Sequence, residues 1–288
     1  MNNPEVHSFF DTHTYTITHV VADPQSKACA VVDPVLNYEP NSGRTATRSI
    51  DDIIDFIVEN GFTLEWILET HIHADHLSSA PYLKEQLGGK IAIGNNVRQV
   101  QETFSDAFNV KVDFARDGSD FDQLFTDGDN FRVGTIMAQA VHTPGHTPAC
   151  MTYMIGDVCF VGDTLFMPDF GSARCDFPGG DADTLYDSIQ KIFSLPDETR
   201  LFMCHDYKAP GREKYQWETT VGEQKRSNIH VGGGISKEEF VAMRSARDAQ
   251  LKLPQLILPS VQVNMRAGQL PKPESNGKRY LKIPVDVF

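Results

Sequence analysis

The sequence predicts a mixed fold, α+β or α/β, in which two halves built from strands and helices pack as one domain. In the first half, apolar strand patterns alternate with amphipathic helix patterns between residues 49 and 87. From Val110 to Val161 the pattern is mostly β, with Gly128 and Gly156 marking turns. The 288 residues, 40% of them hydrophobic, are enough to bury one large core.

The elements of the first half follow from periodicity and from turn residues. Ile50, Ile53 and Ile57 recur at helical spacing after a candidate N-cap, Ser49, and Gly61 stops that helix. Residues 37–47 are polar and predict a loop. In chain order we predict strands at 14–21 and 28–32, a helix at 49–61, a buried strand at 64–69, a helix at 77–87, a strand at 91–93 and a helix at 96–102.

The elements of the second half are predicted in the same way. We expect Asp183 to cap an amphipathic helix, and residues 236–239 to open another with a capping box. The proline-rich tail from Pro254 onward predicts irregular structure. The remaining predicted elements are strands at 131–141, a hairpin at 151–161 and a strand at 200–204. We expect a main domain at residues 1–225 and an extension at 226–288 packed on it.

Charge and composition exclude several functional classes. The net charge of −13 and the pI of about 5.1 argue against a nucleic-acid groove and an anionic membrane surface, which need clustered Lys and Arg. No apolar run reaches the roughly 18 residues of a membrane span, and the N-terminal residues do not resemble a signal peptide. Five scattered cysteines predict reduced thiols. We therefore expect a cytoplasmic enzyme that acts on a small molecule.

Residues 70–76, which read Thr-His-Ile-His-Ala-Asp-His, are the strongest chemical signal in the chain. They place four potential metal ligands, His71, His73, Asp75 and His76, within six residues. The segment follows a buried strand and precedes a helix, where α/β proteins usually place their chemistry. Imidazole and carboxylate groups at this density need a cation between them, and the donor types suit zinc, iron or manganese.

Three further candidate ligands occur where apolar strands end. His146 lies on a Pro-Gly turn after one strand, Asp163 ends a second strand, and His205 ends a third. If these strands align in a sandwich, their ends meet at one edge. A single Asp at a strand end is usually a cap or an ion-pair partner, but four such sites in one chain predict a metal centre.

These motifs resemble the His-x-His-x-Asp-His signature, with its later His, Asp and His, of the metallo-β-lactamase superfamily. The resemblance covers about residues 10–210 and implies an αββα sandwich, here with a short C-terminal extension. It implies a first metal site at His71, His73 and His146, a second at Asp75, His76 and His205, and a bridging Asp163. It also implies that Asp33 supports the metal loop by hydrogen bonding. His142 is interpreted as lying outside the ligand set.

Within this superfamily the chain resembles the persulfide dioxygenases, also called sulfur dioxygenases or ethylmalonic-encephalopathy-type proteins. Tyr207 matches a tyrosine that both this family and the glyoxalase II thioesterases place near bound glutathione. Residues 171–177 resemble the Gly-x-Gly-Arg-Thr-Asp-Phe loop of the persulfide dioxygenases, with departures at Ala173 and Cys175. The C-terminal residues 238–241, 253–254 and 263–266 also match. The insertion at 37–47 and the basic tail residues Lys272, Lys278 and Arg279 suggest a bacterial subgroup.

This second resemblance implies one Fe(II) per chain, held by His71, His146 and Asp163. Such a triad leaves three positions open, as O₂ chemistry requires. The implied reaction oxidises glutathione persulfide with O₂ to sulfite and glutathione. Four further residues would either bind a second metal ion or orient the ligands and move protons: His73, Asp75, His76 and His205. Candidates for substrate binding are Tyr207, Arg174 and Arg266.

Other interpretations stay open at this point. All seven ligands of a two-metal site are present, so a glyoxalase II-like hydrolase of a glutathione thioester with two Zn or Fe ions is the alternative. A metal or sulfur carrier without catalysis is a third hypothesis. Arg174 could instead form an ion pair with Asp176, and Arg266 could be a surface residue. A homodimer is compatible with the family.

Overall fold

The computed structural model describes residues 3–110 and 114–288. Residues 111–113, at the start of the predicted β-rich stretch, and residues 1–2 lie outside the described part. The first half contains β1 (Glu5–Phe10), β2 (Ile17–Ala22), β3 (Ala28–Val32), β4 (Val35–Glu39), β5 (Arg44–Ala46), α1 (Arg48–Glu59), β6 (Thr63–Leu68), β7 (Leu77–Ser78), α2 (Ala80–Leu87), β8 (Lys90–Gly94) and α3 (Val97–Ala107).

The second half continues with β9 (Gln123–Phe125), β10 (Asn130–Val133), β11 (Ile136–His142), β12 (Met151–Ile155), β13 (Val158–Phe160), α4 (Ala182–Phe193), β14 (Arg200–Phe202), β15 (Glu218–Thr220), α5 (Val221–Ser227), α6 (Lys237–Asp248) and α7 (Ile257–Asn264). A 3₁₀ turn, Gly162–Thr164, follows β13. No helix in the described part of the chain is both long enough and apolar enough to cross a bilayer.

Two six-stranded sheets form the centre of the molecule. The first has the order β1-β2-β3-β6-β8-β9, antiparallel up to β3 and parallel from there on. The second has the order β10-β11-β12-β13-β14-β15, and only the β13–β14 pair is parallel. A small third sheet joins β5, β4 and β7. Parallel neighbours place their carboxyl ends at one edge, which is where the metal loops leave the sheets.

Three apolar clusters define the layers, and β3 shows how the sequence builds them. Cys29 and Val31 point to the cluster under the helices of the first half, whereas Ala30 and Val32 point to the cluster between the sheets. This alternation follows from the two-residue period of a strand. A third cluster lies between the second sheet and α4 to α6. The predicted αββα sandwich is therefore confirmed.

Several local predictions were wrong, because tertiary pairing overrode local patterns. The predicted loop at 37–47 contains β4 and β5, and Leu77–Ser78 pairs with β4, so α2 begins only at Ala80. Asp181 caps α4 instead of Asp183, since its carboxylate accepts from the Thr184 amide at 2.7 Å. Ser49 donates its hydroxyl to Asp11 and does not cap α1.

The C-terminal region also departs from the prediction. The tail predicted as irregular from Pro254 contains α7, whose residues are mostly buried. The capping box at Ser236 and Glu239 is confirmed. Helix α7 packs against β7, next to the first metal loop, and α6 packs against α4. The division of the chain at residue 225 stays a prediction, but these contacts join the last helices to the sandwich.

Candidate metal centre

The structure brings together all seven side chains that the sequence identifies as ligands. Their loops follow β6, β11, β13 and β14, and all four loops open at the same edge of the sandwich. One group has candidate ligand atoms within 4.8 Å of one another and consists of His71, His146 and Asp163. A second group meets the same limit and consists of His73, Asp75, His76 and His205. The groups are adjacent, since His205 Nε2 lies 3.5 Å from Asp163 Oδ1.

Hydrogen bonds fix the tautomers of the two histidines in the first group. His146 donates from Nδ1 to the carbonyl of Arg174 at 2.7 Å. The Thr70 hydroxyl donates to Asp33 at 2.9 Å, so its oxygen is free to accept from His71 Nδ1 at 3.0 Å. Each ring therefore carries its proton on Nδ1 and turns the lone pair of Nε2 toward Asp163 Oδ2, at 3.9 Å for His71 and 3.7 Å for His146.

The second group is held by partners on its outer side. His73 Nε2 lies 2.9 Å from Asp33 Oδ1 and 3.4 Å from Glu69. His76 Nδ1 lies 3.2 Å from the Thr16 hydroxyl and 3.3 Å from Asp75 Oδ1. These contacts leave His73 Nδ1 and His76 Nε2 to face inward. Such outer partners orient the ligands of metal sites.

The donor atoms that converge here fit a divalent transition metal. Among the buried side chains that the structure describes, no hydrogen-bond partner is found for His73 Nδ1, His76 Nε2, both ring nitrogens of His205, and Asp163 Oδ1. A buried polar atom without a partner costs free energy comparable to a lost hydrogen bond. Imidazole nitrogens and carboxylate oxygens are the ligands that iron, zinc and manganese accept. A metal would remove this cost.

The protonation states agree with metal binding at the first group. Burial lowers the pKa of His146 to about 4, and burial together with the charge of His73 holds the pKa of His71 well below its usual value. Both imidazoles are thus neutral at pH 7, which is the form that binds metals. Burial raises the pKa of Asp163 to about 6, although the charge of His205 opposes this shift. Without a cation nearby, the negative charge of the buried Asp163 carboxylate is poorly compensated.

Asp33 connects the first sheet to the metal loop. Its carboxylate accepts from the Thr70 amide at 2.7 Å, from the Thr70 hydroxyl and from His73 Nε2. Burial opposes its ionisation, but the charge of His73 and these hydrogen bonds hold the pKa of Asp33 below its usual range. Asp33 also has a φ of +52°, an uncommon value for a residue other than glycine. In this backbone conformation the Asp33 carboxylate is directed toward Thr70 and His73 in the loop.

A cavity of about 650 Å³ opens onto this centre. Its floor contains His71, His146 and Asp163, together with Asp75, whereas His73, His76 and His205 are not among its lining residues. One wall contains the tip of the β4–β5 hairpin at residues 38–41. The opposite wall comes from the C-terminal region and contains Arg244, Arg247, Leu251, Pro254, Gln255 and Leu256. All three members of the group with two histidines and one aspartate therefore face the cavity, whereas only Asp75 of the second group does.

The predicted substrate-binding residues lie in different places. Tyr207 lines the cavity and donates its hydroxyl to Asp75 Oδ2 at 3.3 Å. Arg174 also lines it, but its guanidinium is held by two 2.6 Å hydrogen bonds to Asp176, the alternative stated for this residue. Arg266 does not line the cavity, and its guanidinium lies 4.3 Å from the ring centre of Phe114. The structure thus brings two of the three to the site.

Sequence reasoning did not identify the C-terminal residues that surround the centre. Arg244 and Arg247 line the cavity from α6, and Asn264 on α7 contacts the metal loop through hydrogen bonds. The sequence contained no separate signal for Asn264, because α7 was not predicted and also contains the polar residues Ser260 and Gln262. His142 lies near Asn96 and the Pro148 carbonyl, outside both ligand groups.

Comparison with known proteins agrees with this fold and this donor set. The metallo-beta-lactamase superfamily model matches residues 12–205, which is more than half of the chain. The chain therefore belongs to the metallo-beta-lactamase superfamily. Its match ends at His205, so the cavity wall formed by α6 and the residues after it lies outside the part that defines the superfamily.

Individual relatives carry different functional names. A probable metallo-hydrolase of Burkholderia pseudomallei is 55% identical, covering 98% of this chain and 99% of the relative. Glyoxylase B2 of Dictyostelium discoideum is 49% identical over 99% of this chain and 98% of its own length. The human mitochondrial persulfide dioxygenase ETHE1 is 30% identical over 90% of this chain and 87% of its own length.

Among solved structures, the chain is similar to ETHE1 from Myxococcus xanthus, with a TM-score of 0.73 and 31% identity, over 92% of this chain and 100% of that one. The superfamily follows from these findings, whereas the reaction is not decided by the names of the relatives.

Proposed function

We propose that this protein is a persulfide dioxygenase that uses one Fe(II) per chain and O₂ to convert glutathione persulfide into sulfite and glutathione. The observation that carries the proposal is that the ligand group facing the cavity contains His71, His146 and Asp163. Two histidines and one carboxylate with open positions are typical of non-haem iron oxygenases. The similarity to two persulfide dioxygenase-type proteins at 30–31% identity supports the same reaction.

Iron held by these three residues would supply a centre at which O₂ and a sulfur ligand can meet. The surrounding residues then have separate tasks. Phe166, Phe170 and Phe177 line the cavity beside the ligands and exclude water from it. Asp75 lies 3.2 Å from His205 Nε2 and accepts from the Tyr207 hydroxyl, so it fixes the positions of both side chains next to the triad.

The C-terminal wall supplies the positive charge that an anionic thiol substrate needs. Arg247 is exposed on α6 and lines the cavity, in a chain whose net charge is −13. A guanidinium can bind a carboxylate in a bidentate manner, and glutathione carries two carboxylates. We propose that Arg247 contacts the tripeptide, beside Tyr207 and with Arg174 kept in its ion pair. Arg266 is not proposed for this task, because it does not line the cavity and its guanidinium packs on the ring of Phe114.

The second candidate is a two-metal hydrolase of a glutathione thioester. It is favoured by the second ligand group, in which His76 Nε2 and both nitrogens of His205 have no hydrogen-bond partner. It is also favoured by the names of the relatives at 49–55% identity. Two metal ions there would supply an activated water for attack on a carbonyl.

The two candidates can be distinguished by measuring oxygen uptake together with the number of metal ions bound per chain. Protein loaded anaerobically with Fe(II) should consume O₂ when glutathione persulfide is added and release sulfite in proportion. His205→Ala should retain about one iron per chain and lose only part of this activity, because His205 is not in the group that faces the cavity.

In a two-metal hydrolase the same variant would lose one of two metals and nearly all thioester hydrolysis, and the wild type would take up no O₂. Loss of the only bound metal in His205→Ala would contradict the assignment of ligands.

A further inference from the structure

Asn264 is a buried amide at the end of α7 that forms two hydrogen bonds with the metal loop, residues 70–76, and one with β7, which follows it. Its Nδ2 donates to the carbonyl of His73 at 2.9 Å and to the carbonyl of His76 at 2.8 Å. Its Oδ1 accepts from the Ser78 amide at 2.8 Å. The side chain is only 3% exposed. Both amide protons and the amide oxygen are thus used on one short segment.

The segment that Asn264 holds has no regular structure of its own. Between the end of β6 and the start of β7 the chain contains no helix or strand, only bends and irregular residues. Its beginning is fixed by Asp33, which binds Thr70 and the ring of His73. The carbonyls of His73 and His76 flank Asp75, so the contacts of Asn264 fix the later part, from which three candidate ligands project.

We propose that Asn264 is a positioning residue for the metal centre. By holding two carbonyls of the loop, it sets the directions in which His73, Asp75 and His76 project, and so the affinity for the metal. Groups outside the ligands that fix their orientation typically change metal affinity by about 10- to 100-fold when they are lost. The proposal concerns the second ligand group, to which His73, Asp75 and His76 belong together with His205, and it is tested by metal binding alone, without a reaction.

The same helix offers a matched control. Gln262 is also 3% exposed, and its amide donates to the carbonyls of Leu258 and Lys282, while its oxygen accepts from the Lys282 amide. It therefore has the same chemistry, burial and number of hydrogen bonds as Asn264, but it binds its own helix and the C-terminal tail. Replacement of Gln262 by Ala removes the same number of side-chain hydrogen bonds from α7 as replacement of Asn264, but none of them is to the metal loop.

The test compares Asn264→Ala with Gln262→Ala in full-length, metal-free protein. Each is titrated with Zn²⁺ and, anaerobically, with Fe(II), and the thermal midpoint of the metal-free protein is recorded. We expect both variants to lose similar thermal stability, and only Asn264→Ala to bind metal about 10-fold more weakly.

Equal metal affinity in the two variants would overturn the proposal. If Asn264→Ala does not fold, Asn264→Ser serves in its place, because its hydroxyl can replace only one of the three hydrogen bonds and a weaker affinity is again expected. No substrate is present, so failure of the proposed reaction cannot affect the result.

Discussion

Replacement of Asp248 by Asn tests how α6 supports the metal centre from the opposite side. Asp248 Oδ1 accepts from Arg244 Nε at 2.8 Å, and Oδ2 accepts from the Cys175 amide at 2.8 Å. Arg244 also donates to the carbonyl of Ser172 at 3.1 Å. The ion pair therefore holds a loop whose Arg174 carbonyl accepts from His146 Nδ1.

The size of the effect follows from burial. Arg244 is 1% exposed and Asp248 is 6% exposed, so neither charge is well solvated. Asn keeps one oxygen acceptor, but its NH₂ group then faces a donor, and the guanidinium loses its counter-charge. Breaking a buried ion pair from one side costs about 3–5 kcal/mol. For a chain of 288 residues, with an unfolding entropy of about 2.1 cal/mol/K per residue, that corresponds to a fall in thermal midpoint of roughly 5–8 °C.

The assay is thermal unfolding of wild type, Asp248→Asn and a matched surface variant, Asp187→Asn. Asp187 on α4 pairs with Lys237 on α6 at 2.9 Å, but Asp187 is exposed and Lys237 is partly exposed, so this pair contributes less than about 1 kcal/mol. We expect Asp248→Asn also to bind metal more weakly, since the loop that fixes His146 loses an anchor. A loss of stability no larger than that of Asp187→Asn would refute the reasoning.

Two further predictions concern the fold and the substrate. Burial opposes ionisation of Asp23, but hydrogen bonds from Thr135 and Ser26 outweigh it and hold its pKa below the usual value. Asp23→Asn should lower the free energy of unfolding by about 2–3 kcal/mol at pH 7. Because the folded pKa lies below the unfolded value of about 4, urea unfolding should show this gap in full above about pH 5 and a shrinking gap as the pH falls further. Arg247→Gln should raise the KM for glutathione persulfide about 10-fold with little change in kcat, as expected for a lost charged contact. Arg226→Gln on α5 is the control, and an unchanged KM would exclude Arg247 from binding.

The metal ligands could be predicted because their signal is local. His146, Asp163 and His205 each follow an apolar stretch that is recognisable as a strand, and the 70–76 segment is dense enough to identify by itself. The ends of these strands align because β13 and β14 are parallel neighbours and because β11, two antiparallel pairings away from β13, runs in the same direction as β13. The identification of the ligands themselves requires no knowledge of distant contacts.

The supporting residues could not be found in this way, because their roles depend on contacts far along the chain. Arg266 has the residue type of a carboxylate binder, yet the fold stacks it on Phe114, away from the cavity. The sequence identifies Arg174 as a candidate for substrate binding, but its guanidinium forms an ion pair with Asp176. Helix α7 was missed since prolines at 254 and 259 hide its pattern.

Several of these distant contacts come from residues after the part of the chain that the superfamily model matches. The superfamily match ends at residue 205, whereas Asn264 holds the first metal loop, and Asp248 holds the loop that fixes His146. Arg247 and the residues after α6 form a cavity wall in the same region. The ligands alone are compatible with one metal or two. If Asn264 and Arg247 act as proposed, metal affinity and substrate binding depend in part on residues that lie after the matched residues 12–205.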